Sequence, residues 1–234
     1  MNAAYKWGYF PETRKYEDVD ALIRSKDPKK ILWCGRFLDW KHPDDMIFVA
    51  KALREDGYDF RMELIGTGEM EDRLRSLIDE NGLQDHVHML GSMSPEKVRE
   101  RIEEASIYLF TSDRQEGWGA VLNESMNSAC AVVASHAIGA TPFLIEHQKN
   151  GLIYRDGDRK DLYKNVKLLL DCPQQRMELS KQAYKTIVDE WNAENAAEKV
   201  LKLSETILNG EDISNLYDGG ICSTAEIIKD NWWK

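Results

Sequence analysis

The chain is short of positive charge, of long apolar runs and of paired cysteines, and each shortage removes a class of function. Lys and Arg number 31 against 41 Asp and Glu, a formal charge of -10. General affinity for nucleic acid or anionic lipid needs a broad basic face, so neither partner is expected. Two or three local cations still suffice for a small phosphorylated ligand. No stretch approaches the roughly 18 consecutive apolar residues of a membrane span, and the amino terminus M-N-A-A-Y-K-W-G lacks the apolar core of a secretion signal. A cytoplasmic protein is therefore expected. Cys34, Cys130, Cys172 and Cys222 lie far apart, with no C-x-x-C and no His at metal-ligand spacing. That points to free thiols in a reducing compartment rather than to zinc or a disulfide framework. Internal repeats and low-complexity linkers are missing too, and His42, His86, His88 and His147 form no triad-like arrangement with Ser or Cys.

What is present is a regular alternation. With 42% hydrophobic residues, 234 residues suffice for one large α/β domain or two small ones. Residues 1–28 carry Tyr5, Trp7, Tyr9 and Phe10 around Pro11, then a charged segment ending Lys26-Asp27-Pro28. They read as a lead-in that packs on something else. From Lys29, short apolar runs bounded by Gly or charge predict strands at 31–37, 60–65, 87–90, 107–111, 131–134 and 152–154. Helical spacing falls between them at 44–55, 69–80, 95–104, 120–129 and 142–147, with Ser94-Pro95 as an N-cap and first turn. This alternation predicts an α/β, Rossmann-like, doubly wound parallel sheet of about six strands. After Asp158 the pattern is helical alone, at 161–170, 174–189 and 193–208, stopping at Asn209-Gly210. The expected organisation is a lead-in (1–28), one domain with C-terminal helices (29–209) and an acidic tail (210–234). The tail ends in Trp232-Trp233, which are expected to dock on this domain or on a neighbour.

In such a sheet the ligand lies beyond the carboxyl ends of the strands, so segments 35–41, 66–69, 91–94, 112–119 and 135–141 should line one crevice. Gly35-Arg36 and Lys41 place two cations at the mouth of the first strand, a planar fork and a compact point charge suited to phosphate. The alternative is a solvated loop pairing with Asp39 or Asp44. Gly66-Thr67-Gly68 marks a tight turn that admits ligand or backbone, not a dinucleotide fingerprint, because position 71 is Glu. Residues 113–126, D-R-Q-E-G-W-G-A-V-L-N-E-S-M, set Glu116 and Glu124 eight positions apart. Gly117 and Gly119 permit close approach, and a helix beginning near Gly119 offers unpaired N–H groups to an anion. Eight helical steps would span roughly 12 Å, the length of a nucleoside diphosphate with its sugar. Alternatively, Glu124 sits on a solvated face and Glu116 merely favours a helix N-terminus. His136 follows the fifth strand and reads as a packing or hydrogen-bonding group at the crevice.

The ordered motifs G-R-F-L-D-W-K, I-G-T-G-E, V-H-M-L-G, E-G-W-G-A-V-L-N-E-S-M, V-V-A-S and N-G-L-I-Y, from about Ile31 to Leu208, carry a resemblance. The chain resembles the C-terminal, donor-binding half of the retaining glycosyltransferases of family 4, also called group 1, which adopt the GT-B fold. The resemblance implies that Arg36 and Lys41 bind the diphosphate and that Glu116 contacts the donor sugar, these three forming the catalytic set. It implies that Glu124 binds the ribose and that the backbone amides of Trp118, Gly119, Ala120 and Val121 meet the phosphates. Gly35, Gly66, Gly68, Leu90, Gly91 and Gly117 complete the implied nucleotide-sugar site, with residues 89–93 near the base. It implies a nucleotide-sugar substrate, UDP-linked in the first instance, no cofactor or metal, and a saccharide, lipid-linked or protein-linked acceptor. A full-length enzyme would at most sit peripherally at the inner membrane face. Ala129 and Ala131 stand where Gly and Pro are usual, and Phe143 replaces a common Glu. A non-catalytic nucleotide-sugar-binding module or partner subunit is the alternative; epimerases and phosphorylases of the same fold match less well. Full enzymes of this kind have a second, N-terminal domain that holds the acceptor, and Lys6-Trp7-Gly8-Tyr9-Phe10-Pro11 resembles the interdomain linker. A truncated chain or half-protein is therefore expected, binding a nucleotide sugar weakly and transferring little or nothing by itself. Full glycosyl transfer by this chain alone, measured by product formation from a labelled nucleotide sugar, would refute that expectation.

Overall fold

The computed structural model describes residues 6–214, 216–225, 227–229 and 231–233. Its strands are β1 (Asp27–Cys34), β2 (Arg61–Ile65), β3 (Val87–Gly91), β4 (Ala105–Phe110), β5 (Ala131–Ser135) and β6 (Leu152–Tyr154). All pair in parallel, in the order β3-β2-β1-β4-β5-β6. This is the doubly wound order, in which the winding reverses between β1 and β4. Strands β4, β5 and β6 are buried throughout, as their unbroken apolar runs require when helices cover both faces.

The two-residue period of a strand sorts the core into halves. Ile31, Trp33, Ile107, Leu109, Ala131 and Val133 point to one face, under α2 (Asp44–Glu55), α3 (Glu71–Glu80) and α7 (Arg159–Asp171). Leu32, Tyr108, Phe110, Val132 and Ala134 point to the other. There they meet α4 (Pro95–Glu104), α5 (Val121–Asn127), α6 (Thr141–Leu144), α8 (Pro173–Lys185) and α9 (Ala193–Leu208). Ser94 caps α4 through its side chain, with Pro95 in the first turn, as its sequence predicts.

Differences from the sequence reading have local causes. Strand β1 starts within the lead-in and ends at Cys34 rather than 37, because residues 35–37 leave it to bond with the loop after β2: Gly35 N donates to Ile65 O and Phe37 N to Thr67 O. The lead-in also holds a helix with little apolar periodicity, α1 (Val19–Ser25), started by the Asp18 side chain accepting from Ala21 N. Its buried residue, Ile23, packs with Ala129 and Tyr184. Helix α6 is shorter than the predicted 142–147, and the predicted 174–189 helix divides into α8 and a π-helical turn, Thr186–Glu190. Ala129 lies at φ 52°, the left-handed region where a glycine is at ease. Among the described residues no helix is long and apolar enough to cross a membrane. The tail joins the lead-in reciprocally, Cys222 N donating to Lys6 O at 2.9 Å and Lys6 N to Ser223 O at 2.8 Å. Trp233 rests 4.2 Å from the His136 ring, so the terminal tryptophans do dock on this domain.

Two charges sit deep at the amino ends of the strands. Lys26 Nζ donates to the carbonyls of Ile102, Glu103 and Ala105 at 3.2, 2.8 and 3.0 Å, closing the end of α4. Burial lowers the pKa of this ammonium. Glu63, fully buried in β2, has Lys30 at 2.9 Å and Arg61 at 2.8 Å, ion-pair distances without well-angled hydrogen bonds. Lys30, itself buried, also meets Glu104 at 2.7 Å, and without it Glu63 keeps cations only from the more exposed Arg61 and Arg101; losing the buried partner of a buried charge is costly. Lys30→Met is thus expected to destabilise the fold by about 3 kcal/mol or more, with Lys30→Met/Glu63→Leu recovering much of that loss in chemical denaturation. Equal losses in the single and double variants would contradict it.

Candidate functional site

The reversal of winding makes the loops after β1 and β4 diverge, and the sequence supplies the groups that hold them across the gap. The loop after β1 runs through Gly35 and Arg36 into a 3-10 turn, Asp39–Lys41, ended by His42 in the left-handed region. The loop after β4 runs from Thr111 to Ala120. Lys41 Nζ is ion-paired with Glu116 Oε2, and Ser112 Oγ donates to the same carboxylate oxygen at 3.1 Å. Both partners are largely covered, at 17% and 13% side-chain exposure, so solvent screens the pair less than at a surface. Beneath them Trp33 Nε1 donates to Thr111 Oγ1 at 2.9 Å, and that hydroxyl donates to Lys41 O at 2.7 Å. Asp113 N bonds Trp40 O at 2.9 Å, and the Lys41 ammonium lies 4.4 Å from the Trp40 ring centre. The last contact adds a cation–π component to the site.

Beyond Glu116 the chain turns without helix until Val121. Among the described residues, the successive amides of Gly117, Trp118, Gly119, Ala120 and Val121 donate to no carbonyl or side chain. This row of unpaired donors begins next to Glu116. Gly119 stands at φ 83°, where a Cβ would overlap the Phe110 ring, whereas one on Gly117 would meet nothing within 4 Å. The Trp118 indole turns inward, its Nε1 donating to Asn123 Oδ1 at 2.9 Å and its ring packing against Phe143 and Trp191. Phe143, where the resemblance leads one to expect Glu, therefore supports Trp118. Gly139 closes the far wall: its N donates to Glu116 O at 3.0 Å, and a Cβ there would overlap Gly117 O.

Glu124 lies in the first turn of α5, half-buried, and its carboxylate makes no hydrogen bond or ion pair among the described residues. Burial raises its pKa, with Arg99 acting in opposition. Arg99 is itself held by Asn127 at 2.5 Å. With Glu12, Arg14, Pro95, Glu96 and Arg99, Glu124 lines a cleft of ≈ 150 Å³. Nearby, burial pushes the Cys34 thiol up to about 12, and the Glu124 carboxylate adds to the shift. Cys34 is a neutral packing group.

The five loops named from the strand-end rule do form one connected rim. Gly66 N donates to Gly91 O, Met70 N to Phe37 O, Asp113 N to Trp40 O and Gly139 N to Glu116 O. Arg36 is exposed and, among the described residues, takes neither Asp39 nor Asp44 as partner; Asp44 is held by Arg159 and Arg73. One expectation needs correction. The Glu116–Glu124 separation is not a helical span, because only its last turn is helical, so the 12 Å argument fails. Gly66 and Gly68 are required by protein backbone: at φ 139° and 159°, a Cβ at either would overlap Gly35 O or the Phe37 main chain. His136 is a buried hydrogen-bonding residue, its Nδ1 accepting from Asp156 N at 2.9 Å. Sequence reading missed Trp33, Thr111 and Ser112 as supports. The signal available was their place at the carboxyl ends of two adjacent strands.

Comparison with known proteins now assigns the class. The family model described as glycosyl transferases group 1 matches residues 15–186, and the chain belongs to that family. It is 30% identical to the amylovoran biosynthesis glycosyltransferase AmsK of Erwinia amylovora over 162 residues, covering 67% of this chain and 39% of that protein. A putative colanic acid biosynthesis glycosyltransferase, WcaL of Escherichia coli, is 30% identical over 140 residues, 58% of this chain and 34% of its own length. Among solved structures, S. aureus TarM in complex with fondaparinux, alpha-GlcNAc-glycerol and UDP superposes with a TM-score of 0.69 at 21% identity. That match covers 83% of this chain and 37% of TarM. The C-terminal domain of a group 1 family protein, LpcC of Francisella tularensis, superposes at 0.67 and 19% identity, covering 76% of this chain and 95% of that domain. The fold is thus one Rossmann-like half of a GT-B architecture, and the match spans only 39% of AmsK and 34% of WcaL.

The two kinds of glycine make a direct prediction. Gly66→Ala should lower stability by more than about 2 kcal/mol, whereas Gly117→Ala should leave it within about 0.5 kcal/mol, read from thermal or urea midpoints. Similar losses in both would refute the division between glycines that neighbouring backbone requires and those that border open space.

Proposed function

We propose that the chain is the donor half of a glycosyltransferase and binds a nucleoside diphosphate sugar, UDP-linked, at the crevice between the loops after β1 and β4. The observation that carries this reading is the Lys41–Glu116 pair set beside the unpaired amides of residues 117–121. It places a cation, a carboxylate and a row of donors together at the switch point. A diphosphate suits the amides and Lys41, with the exposed Arg36 adding a planar fork from the rim. The Glu116 carboxylate suits the hydroxyls of the attached sugar, and Glu124, without a hydrogen-bond or ion-pair partner among the described residues, suits the ribose diol. UDP is present in the TarM structure, and UDP with GlcNAc in that of pneumococcal GtfA, which supports the choice of nucleotide.

The reaction that follows is transfer of the glycosyl group with retention of anomeric configuration. As the bond from the anomeric carbon to the diphosphate oxygen breaks, negative charge builds on the departing phosphate. Lys41, Arg36 and the amides stabilise that charge where it develops, without a metal. If each side chain supplies about 2 to 4 kcal/mol, losing one slows turnover by roughly 10² to 10³. The acceptor would be a saccharide, free or lipid- or protein-linked, as in the polysaccharide pathways named for AmsK and WcaL. It would be presented by an N-terminal domain or partner chain.

Calorimetry with UDP, GDP and ADP and their sugars tests the proposal. UDP is expected to bind, Glu124→Ala to weaken nucleotide and nucleotide sugar alike, and Glu116→Ala to weaken mainly the nucleotide sugar. A folded chain that binds no nucleotide would sink the reading. The pH dependence has a fixed sign. Glu124 has its folded-state pKa raised, chiefly by burial, so the stability it contributes is present at low pH and lost as pH rises through that raised value. Glu124→Gln should accordingly be more stable than the parent at pH 7, with the difference vanishing below about pH 4, under the ordinary carboxylate value. Its nucleotide affinity should be lower throughout neutral pH. A variant less stable than the parent at pH 7 would contradict the assignment of a buried, unpaired charge.

A further inference from the structure

A separate recess opens where the tail folds back over α6 and the end of α8. It measures ≈ 670 Å³, within the range of small-molecule sites, and shares no lining residue with Arg36, Lys41, residues 116–121 or Glu124. Trp232, Trp233 and Phe143 contribute aromatic rings to its wall, and Glu146, Gln182 and Glu190 contribute carboxylates and an amide. The rings are held in place. Trp233 lies against His136 with ring centres 4.2 Å apart and planes tilted by 48°, Trp232 meets Trp233 edge-on at 5.8 Å, and Phe143 is set against Trp118 and Trp191 at 5.5 and 6.0 Å. Such fixed walls reduce the ordering cost of binding.

This chemistry selects among ligands. Aromatic faces pack against the C–H face of a pyranose, while carboxylates and primary amides bond the hydroxyls at its edge. Lys149, the lysine in the lining, is paired with Glu146 at 2.7 Å, and the neighbouring acids disfavour an anion. A second recess of ≈ 360 Å³ abuts the first, with Pro142, Phe143 and Trp232 lining both. A single sugar would occupy one recess; two recesses that share Pro142, Phe143 and Trp232 as walls suit several linked sugars.

We propose that this groove is a neutral-oligosaccharide site, distinct from the nucleotide-sugar crevice. The choice of saccharide rests in part on the glycosyltransferase reading, but none of the lining residues of the recess lies in the donor loops. Titrating the whole chain with glucose and N-acetylglucosamine and with their linked di-, tri- and tetrasaccharides tests it, read by calorimetry and by the indole N–H resonances, with UDP titrated in parallel. Affinity should rise from monosaccharide to trisaccharide, the Trp232 and Trp233 resonances should move, and UDP should not compete. Trp233→Ala should abolish the response. Because losing that indole alters how the tail docks, Gln182→Ala and Glu190→Gln on the helical wall are the second test. Each should weaken oligosaccharide binding roughly threefold to tenfold, the loss of one hydrogen bond, with UDP binding unchanged. No oligosaccharide binding in a sample that binds UDP, or binding that UDP displaces, would overturn the proposal. Oligosaccharide binding without UDP binding would uphold this site and overturn the donor reading instead.

Discussion

Everything at the candidate site depends on one ion pair across a topological gap. Parallel winding in the order β3-β2-β1-β4-β5-β6 forces the loops after β1 and β4 to part, and Lys41 and Glu116 face each other where they do. The pair is not left to find its own geometry. Thr111 and Trp33 hold the Lys41 main chain, and Ser112 holds the Glu116 carboxylate. Gly139 bonds the Glu116 main chain from the third loop. Partly buried opposite charges, each fixed by neighbours, form a polar centre that costs little to reorganise when another anion shares the cation.

That arrangement also explains the division of labour along residues 116–124. Side chains that the aromatic cluster needs, such as Trp118, turn inward, and the main-chain amides of residues 117–121 have no acceptor among the described residues. Gly119 allows the chain to pass over Phe110. Glu124 is the exception: a half-buried carboxylate with no hydrogen-bond or ion-pair partner among the described residues is a stability cost, and it sits in the cleft beside Arg99.

Much of the scaffold was legible in local pattern. Helices α2, α4 and α9 and strand β6 fall where spacing and capping place them, because each carries its own periodicity and stop signals. Helix α1, with one buried residue, has too little apolar signal to be read, and the true end of β1 is set by hydrogen bonds to the loop after β2. At the site, Lys41, Glu116 and Glu124 stood out by residue type and position. Their roles relative to one another did not, since Lys41 and Glu116 are 75 residues apart in the chain and meet only through sheet order. The E-x7-E spacing looked helical because spacing alone does not reveal Gly119 at φ 83° and a loop from 116 to 120. At Gly66 and Gly68 the choice between ligand and backbone stayed open for a related reason, as a sequence does not say which of the two makes a close approach.

The most direct test of the account is the structure of the chain with UDP bound. The account predicts the β-phosphate on the amides of residues 118–121 with Lys41 Nζ turned from Glu116 towards it, and the ribose diol on Glu124. UDP bound elsewhere, or bound with the Lys41–Glu116 pair unchanged and the amides unengaged, would contradict it.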